Sequence, residues 1–177
     1  RPVAAEAVID PRAFTTDGSA RASLRRKLRH AAQSGVTVTE PAHAPLHELA
    51  EVAAEWASRH GGERGFSMGR FDPATLVHQR LFTARAADGR LLAFVTFHAA
   101  HGEWVLDLIR SRTDMPDGTL YLIITQAIAT ARAERIPRLS LACAPIPGWG
   151  LQGRAGRIAR RLTAGAVGLS QFKQAFR

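Results

Sequence analysis

The stretch Glu103–Arg110, with the sequence EWVLDLIR, combines an apolar pattern with charged side chains. Apolar residues occupy both sets of alternating positions, which predicts a strand covered on both faces. Asp107 and Arg110 lie inside this strand, where a charge is costly unless it is paired or used. Alternation sends these two side chains to opposite faces, and only a bulge or splay near Leu108 would bring them to one site. A buried ion pair, or an arginine reaching solvent at the strand end, is the simpler alternative.

Short strands and amphipathic helices make up the rest of the chain. The predicted strands are 1–9, 36–39, 82–86, 91–98, 103–110 and 139–143, and the predicted helices are 19–33, 45–60, 119–134 and 153–162. The first strand has no obvious partner, so we expect it to pair upstream of this chain. A three-strand meander followed by a helix and one more strand predicts an α+β fold, with a mixed, mostly antiparallel sheet flanked by helices. We expect strands 103–110 and 139–143 to be neighbours, splayed apart at a pocket.

Residues 63–72, with the sequence ERGFSMGRFD, interleave glycine, aromatic and charged residues. This segment is too irregular for a helix or strand and too apolar for a simple linker. It predicts a loop that lines a pocket.

Length and composition describe one ordinary globular domain. The chain has 177 residues, of which 46% are hydrophobic and 22% charged. No apolar run approaches the roughly 20 residues that span a bilayer, and no signal-peptide pattern is present. The single cysteine, Cys143, excludes an internal disulfide and fits a reducing compartment. Because the chain opens on Arg1, we expect it to be part of a longer protein.

Basic residues are segregated along the chain, which has a net charge of +9. Residues 19–33 contain only basic charges, and no acid follows Glu134. Such positive regions favour phosphate-rich partners, either RNA or an anionic membrane surface. A solubilising face is the alternative. The candidate phosphate contacts in the two basic helices are Arg25, Arg26, Arg29, Arg157, Arg160 and Arg161.

Four motifs together resemble a known family. They are FSMGRFD at 66–72, DLIR at 107–110, AP at 144–145 and GLSQFK at 168–173. Their order and spacing are similar to those of the phosphatidylglycerol lysyltransferases, the catalytic domain of the multiple peptide resistance factor family. Members carry two tandem GNAT-like folds behind a membrane-embedded region. The resemblance covers nearly the whole chain and implies that residues 1–177 form one GNAT-like domain, the second of the pair.

The resemblance also implies an activity and its residues. The family transfers an aminoacyl group from a charged tRNA to the hydroxyl of phosphatidylglycerol, at the cytoplasmic face of the bacterial membrane and without a metal or organic cofactor. Asp107, Arg110 and Lys173 match positions needed for activity, and Arg70 and Phe71 match the loop that borders the site. Which aminoacyl group moves, lysyl or alanyl, stays open.

The chemistry of the residues agrees with such a transfer. The acceptor hydroxyl needs a proton acceptor, and general-base help contributes about 10²–10⁴-fold. Asp107 is a candidate base, or alternatively a ligand of the α-ammonium group. Arg110 or Lys173 could stabilise the oxyanion or bind the lipid phosphate, and one placed donor is worth roughly 10²–10³ in rate.

Further residues are assigned to substrate by position. Asp72, together with Asp107 and Asp114, suits a cationic aminoacyl group, and the apolar loop around Trp149 suits an entering lipid. Phe172 and Phe176, four residues apart, are expected to anchor Lys173 so that it returns to the pocket of Asp107 and Arg110.

Two rival functions remain at this point. An acyl-CoA-dependent N-acyltransferase of the same fold needs a glycine-rich turn whose amides bind pyrophosphate. The corresponding segment 111–118, SRTDMPDG, contains two acids, a proline and one glycine, and forms a poor pyrophosphate site. A non-catalytic basic domain that binds RNA or membrane would not need Asp107 inside a core strand.

Overall fold

A computed structural model describes residues 4–62, 69–145 and 172–176 of the chain. The strands are β1 (Ala4–Ile9), β2 (Thr37–Thr39), β3 (Gln79–Arg85), β4 (Leu91–Ala100), β5 (Glu103–Ser111) and β6 (Arg138–Pro145). The helices are α1 (Ala22–Gln33), preceded by a 3-10 turn (Ser19–Arg21), α2 (Leu46–His60), α3 (Pro73–Leu76) and α4 (Thr119–Ala133). The predicted helix 153–162 lies outside the described residues.

The described strands form one mixed sheet in the order β1-β6-β5-β4-β3-β2. Neighbours are antiparallel except β5 and β6, which are parallel. The predicted α+β class is therefore confirmed. The predicted upstream partner of β1 is wrong, because β1 pairs with β6, from Ala4 opposite Pro145 to Ile9 opposite Leu139.

Helices cover both faces of the sheet, and a hydrophobic core lies between the sheet and the helices on each face. Helices α1 and α4 cover one face, where Phe82, Phe97 and Trp104 pack as an aromatic cluster. Helices α2 and α3 cover the other face, where Leu49 and Leu108 belong to a second hydrophobic core. Strand β4 is buried on both sides along residues 91–97, which explains its continuous apolar run.

Strand β5 lies inside the sheet next to β6, as predicted, and the two strands part early. Their pairing begins at Glu103 and Arg138 and ends at Val105 and Ser140. Continuing this register beyond the last pair would set Asp107 level with Ala142. The opening between the two strands therefore begins immediately before the charged residues of β5.

Helix α3 was not predicted, although its start signal is present in the sequence. Asp72 precedes Pro73, and the Asp72 carboxylate accepts a hydrogen bond from the Ala74 amide at 2.9 Å. An aspartate cap followed by proline at the first helical position is a frequent helix start. The segment assigned to a loop thus ends at Asp72, where a short helix begins.

Helices α1 and α4 meet closely at Gly118, the residue before α4. Its φ of 94° lies in the left-handed region. A Cβ atom there would lie 2.7 Å from the carbonyl carbon of Lys27 and 3.3 Å from Cβ of Ala31. Both the backbone conformation and the helix contact therefore require glycine.

Replacing Gly118 by alanine should lower the free energy of unfolding by about 3 kcal/mol, since strain at positive φ adds to a backbone clash. Gly89→Ala is the matched control: Gly89 has a φ of 87°, and a Cβ there meets nothing within 4 Å. The control should lose only the strain, about 1–2 kcal/mol. Chemical denaturation of both variants measures the difference, and equal losses would contradict the proposed clash.

Candidate functional site

A β-bulge lies at the centre of β5. Ile109 pairs with Val95 and Leu106 pairs with Phe97, so that Thr96 alone faces two residues of β5. The Leu108 amide donates to the hydroxyl of the buried Thr96 at 3.2 Å. This hydroxyl occupies the position of the missing strand partner, which is how a bulge inside a core keeps its amide satisfied.

The bulge changes which way the second half of β5 faces. Trp104 and Leu106 pack in the core of α1 and α4, whereas Leu108 packs in the core of α2. Arg110, two residues after Leu108, also reaches α2, where its guanidinium lies over the ring of Trp56. The bulge thus supplies the geometry that Asp107 and Arg110 needed to share a site.

Arg110 is buried, with 3% of its surface exposed. Its guanidinium carbon lies 3.9 Å from the centre of the Trp56 ring, and Nη2 donates to the carbonyl oxygen of Gly69 at 2.9 Å. Trp56 itself stacks on His60, with ring centres 4.1 Å apart. Stacking and a directed hydrogen bond together hold a planar cation in one orientation.

Asp107 lies beside the same glycine. Its Oδ2 accepts a hydrogen bond from Nε2 of Gln79 at 2.7 Å and lies 3.5 Å from Nε2 of His98. A Cβ on Gly69 would lie 2.8 Å from the carboxyl carbon of Asp107 and 2.7 Å from Cδ2 of Leu108. Gly69 therefore contacts both charged residues: its carbonyl oxygen accepts from Arg110, and its missing side chain leaves room for the carboxylate of Asp107.

Lys173 comes from the far end of the chain and is buried, with 4% of its surface exposed. Its Nζ donates to the carbonyl oxygen of Ala142 at 2.9 Å. Ala142 has a φ of 57°, which is uncommon for a residue with a side chain. Ala142 lies on β6 just beyond the last pairing of this strand with β5, so the amine of Lys173 is bound to β6 near the point where the two strands part. A pocket shared with Asp107 and Arg110 stays a prediction.

Aromatic contacts hold this C-terminal turn, as predicted. Phe172 and Phe176 are buried with ring centres 5.5 Å apart, and Tyr121 of α4 contacts both rings. Arg21 adds a hydrogen bond to the carbonyl of Ala175 at 2.5 Å. Lys173 is therefore held by its neighbours and does not lie on a frayed terminus.

A carboxylate on β1 faces the same end of β6. Glu6 accepts from the hydroxyl of Ser140 at 2.5 Å and from Arg138 at 2.9 Å. These contacts, with a weaker attraction from Lys173, hold the pKa of Glu6 below its ordinary value. The charge of Lys173 thus has an ionised neighbour.

The remaining predicted residues differ in what they contact. Arg70 is exposed, and the ring of Phe71 packs 5.7 Å from Phe94 at the edge of the α2 core. Asp72 is occupied in capping α3. Trp149, Arg157, Arg160 and Arg161 lie outside the described residues.

The arginines of α1 fall into two groups. Arg25 is half-buried and donates to the carbonyls of Thr16 at 2.6 Å and Gly18 at 2.7 Å. Arg26 and Arg29 are exposed and, among the described residues, have no hydrogen-bond or ion-pair partner. Only these two arginines of the predicted α1 set are available to a phosphate without rearrangement.

The acids between β5 and α4 are paired. Asp114 binds Arg90 at 2.8 Å, and Asp117 binds Lys27 at 2.5 Å. The hydrogen bond from Lys27 lowers the pKa of Asp117. An ionised carboxylate therefore lies beside the N-terminus of α4, where a pyrophosphate would otherwise bind.

The sequence as a whole matches one protein family. The family model described as phosphatidylglycerol lysyltransferase, C-terminal, matches residues 1–177. The chain belongs to this family. Phosphatidylglycerol lysyltransferase of Bacillus subtilis is 30% identical over 147 residues, which are 80% of this chain and 17% of that protein.

Solved structures support the same assignment for the fold. L-PGS from Bacillus licheniformis superposes with a TM-score of 0.78 and 25% identity, covering 98% of this chain and 56% of that one. A GCN5-related glucosamine N-acetyltransferase region from a fungal enzyme superposes with a TM-score of 0.53 at 10% identity, over 80% of this chain and 18% of that one. The fold is therefore GNAT-like, and the chain spans only part of the relatives that it matches.

Several residues of the site were missed because their roles depend on neighbouring strands. Gln79 and His98 contact Asp107 from β3 and β4, and they stand directly opposite each other in the sheet. Trp56 lies in the predicted helix 45–60, and nothing in the helix pattern shows that its ring stacks on Arg110. Within the described residues, no group of three His, Cys, Asp or Glu side chains is placed to hold a metal ion.

An ion-pair network fixes α2, and with it Trp56, against the end of β5. Glu55 accepts from the Thr113 amide at 2.7 Å and from Arg112 at 3.0 Å. Arg112 also binds Glu51 at 2.9 Å. The Thr113 amide first, and then the Thr113 hydroxyl and Arg112, hold the pKa of Glu55 below its ordinary value of 4.5.

Replacing Glu55 by glutamine should lower the free energy of unfolding at pH 7 by about 1–2 kcal/mol, because charge-assisted hydrogen bonds are lost. A carboxyl group with a lowered folded-state pKa stabilises above its unfolded-state value and loses that contribution as pH falls. The difference from the parent chain should therefore shrink below about pH 4.5. Glu51→Gln, at a more exposed position, should cost under about 1 kcal/mol. A constant difference between pH 7 and pH 3 would contradict the assignment.

Proposed function

We propose that this chain is the catalytic part of an aminoacyl-tRNA-dependent transferase that moves a lysyl or alanyl group onto the hydroxyl of phosphatidylglycerol. The observation that carries the proposal is the bulge at Thr96, which brings Asp107 and Arg110 to one face beside the opening between β5 and β6. A structural domain has no need for a half-buried carboxylate and a buried guanidinium around one glycine. The relatives are named for transfer to phosphatidylglycerol.

The proposed reaction is an exchange of esters. The lipid hydroxyl attacks the aminoacyl ester carbon, Asp107 accepts the hydroxyl proton, and a tetrahedral oxyanion forms. Collapse breaks the bond to the ribose oxygen of the tRNA, which leaves with a proton, so that one ester replaces another. Arg110 or Lys173 stabilises the oxyanion or binds the lipid phosphate, since both are buried cations held in place by neighbours.

Asp107 has an alternative role in the same reaction, as the ligand of the α-ammonium group. The two roles separate kinetically. Loss of a base lowers kcat, whereas loss of a ligand held equally in the ground and transition states raises KM.

An acyl-CoA-dependent reaction is the less favoured function. The α4 N-terminus, where a pyrophosphate would bind, is closed by the Lys27 carbonyl packed on Gly118 and carries the Asp117 carboxylate. Desolvating an anion against an ionised carboxylate is unfavourable. These contacts favour the tRNA-dependent reaction of the same fold.

The proposal includes a location and an assembly. In the described part of the chain, no helix is long and apolar enough to cross a membrane. We infer that the chain works as the second of two tandem folds, at the cytoplasmic face of a bacterial membrane, in peripheral contact with anionic lipid near Trp149.

Asp107→Asn tests the catalytic assignment. Transfer of lysine or alanine from charged tRNA to phosphatidylglycerol vesicles should fall about 10²–10⁴-fold in kcat, as expected for loss of a general base. Asp88→Asn is the matched control, because Asp88 lies in the exposed β3–β4 turn. A raised KM with an unchanged kcat would assign Asp107 to ammonium binding instead. Parental kinetics in Asp107→Asn would reject both roles.

Glutamine at Arg26 and Arg29 tests the tRNA surface. The double variant should bind tRNA more weakly, and the slope of log K against log salt should fall by about 1.4, from roughly 0.7 per lost single-strand phosphate contact. Arg25→Gln is the control: its side chain holds Thr16 and Gly18, so stability should change and the salt slope should not.

Liposome sedimentation of the same double variant separates tRNA from lipid. Each arginine near an anionic surface contributes about 1 kcal/mol to membrane binding. Undiminished tRNA binding together with lost binding to phosphatidylglycerol vesicles would reject the tRNA surface and assign both arginines to the membrane.

A further inference from the structure

We propose that Gln79 is the positioning residue of Asp107, holding one carboxylate oxygen so that the other stays open to the substrate. The inference rests on the proposed function, since it assigns the substrate-facing atom of that site. It concerns a glutamine on β3 whose side chain belongs neither to a hydrophobic core nor to a helix cap.

The contact runs across three neighbouring strands. Gln79 on β3 stands directly opposite His98 on β4, and His98 stands opposite Val105 on β5. The Nε2 amide of Gln79 lies 2.7 Å from Oδ2 of Asp107 and 3.3 Å from Nε2 of His98. An amide nitrogen carries two protons. One proton can go to each neighbour when that ring nitrogen of His98 is the unprotonated one.

The orientation of the amide has a cost that packing alone does not explain. With Nε2 directed at Asp107, Oε1 of Gln79 is buried and, within the described residues, has no hydrogen-bond partner. Rotating the amide by half a turn would place Oε1 of Gln79 against Oδ2 of Asp107, so that two acceptors would face each other. A buried acceptor without a partner is unfavourable, and an apolar side chain of similar size would avoid it. The hydrogen bond that the amide donates to Asp107 is the interaction that an apolar side chain could not make.

The two oxygens of Asp107 are consequently unequal. Oδ2 is taken by Gln79 and approached by His98. Oδ1 lies against Gly69, in the space that a side chain there would take, and has no hydrogen-bond partner among the described residues. The Asp107 side chain keeps 19% of its surface exposed. Because Oδ2 is anchored, the carboxylate cannot rotate freely. Oδ1 is therefore the atom that meets the hydroxyl proton or the ammonium group of the substrate.

Gln79→Leu separates a positioning role from a structural one. We expect kcat of the full protein to fall about 10–100-fold with KM within about twofold, as for loss of orientation at a reacting group. The melting temperature should stay equal or rise, because the unpartnered acceptor is removed. Gln79→Glu keeps the shape but cannot donate, so it should lose kcat equally. Gln126→Leu, an exposed glutamine of α4, is the control.

The outcomes distinguish this inference from the proposed function. Parental kcat in Gln79→Leu, or a loss that follows a lowered melting temperature, would overturn the positioning role. A double-mutant cycle of Gln79→Leu and Asp107→Asn on unfolding gives a readout that needs no activity. Additive effects would overturn the contact itself. Coupled effects in a protein that transfers nothing from any charged tRNA would support the contact and reject the proposed function alone.

Discussion

The site depends on one exception to strand geometry. Regular alternation would send the carboxylate and the guanidinium of β5 to opposite faces. One extra residue opposite Thr96 removes this conflict and turns Leu108 and Arg110 towards α2. The bulge is tolerated inside a core because the hydroxyl of Thr96 accepts a hydrogen bond from the Leu108 amide, which has lost its strand partner. Valine, of nearly the same shape, would leave that amide unsatisfied.

The polar contacts of the three charged residues fix the orientation of their side chains. Arg110 is held by the ring of Trp56 and the carbonyl of Gly69, Asp107 by an amide, and Lys173 by the carbonyl of a residue with positive φ on β6. Asp107 and Arg110 come from β5, whereas Lys173 comes from the C-terminal turn and binds β6. Charges held in this way need little reorganisation when a new charge develops between them.

The pattern of apolar and polar residues predicted those elements whose structure is set by interactions between residues close in sequence. Apolar spacing predicted α2 and α4, and the pattern of strands predicted the meander of β3, β4 and β5. It failed where partners are remote: β1 was assigned a partner outside the chain although its partner is β6. The bulge could be stated only as a condition, because two charges in an apolar strand show a conflict without showing how it is resolved. Gln79 gave no signal, since its role exists only once three strands are aligned.

The order in which the chain leaves the ribosome has a consequence for the buried lysine. Asp107 and Arg110 can reach their places once β3 to β5 and α2 have folded. The hydrogen bond from Arg21 to Ala175 joins residues 154 positions apart, and the bond from Lys173 closes the same end of the molecule. A nascent chain that has folded through β6 therefore holds Asp107 and Arg110 in place and still lacks the buried Lys173. Completion of the site therefore waits for the segment that carries Lys173, and it coincides with burial of Phe172 and Phe176.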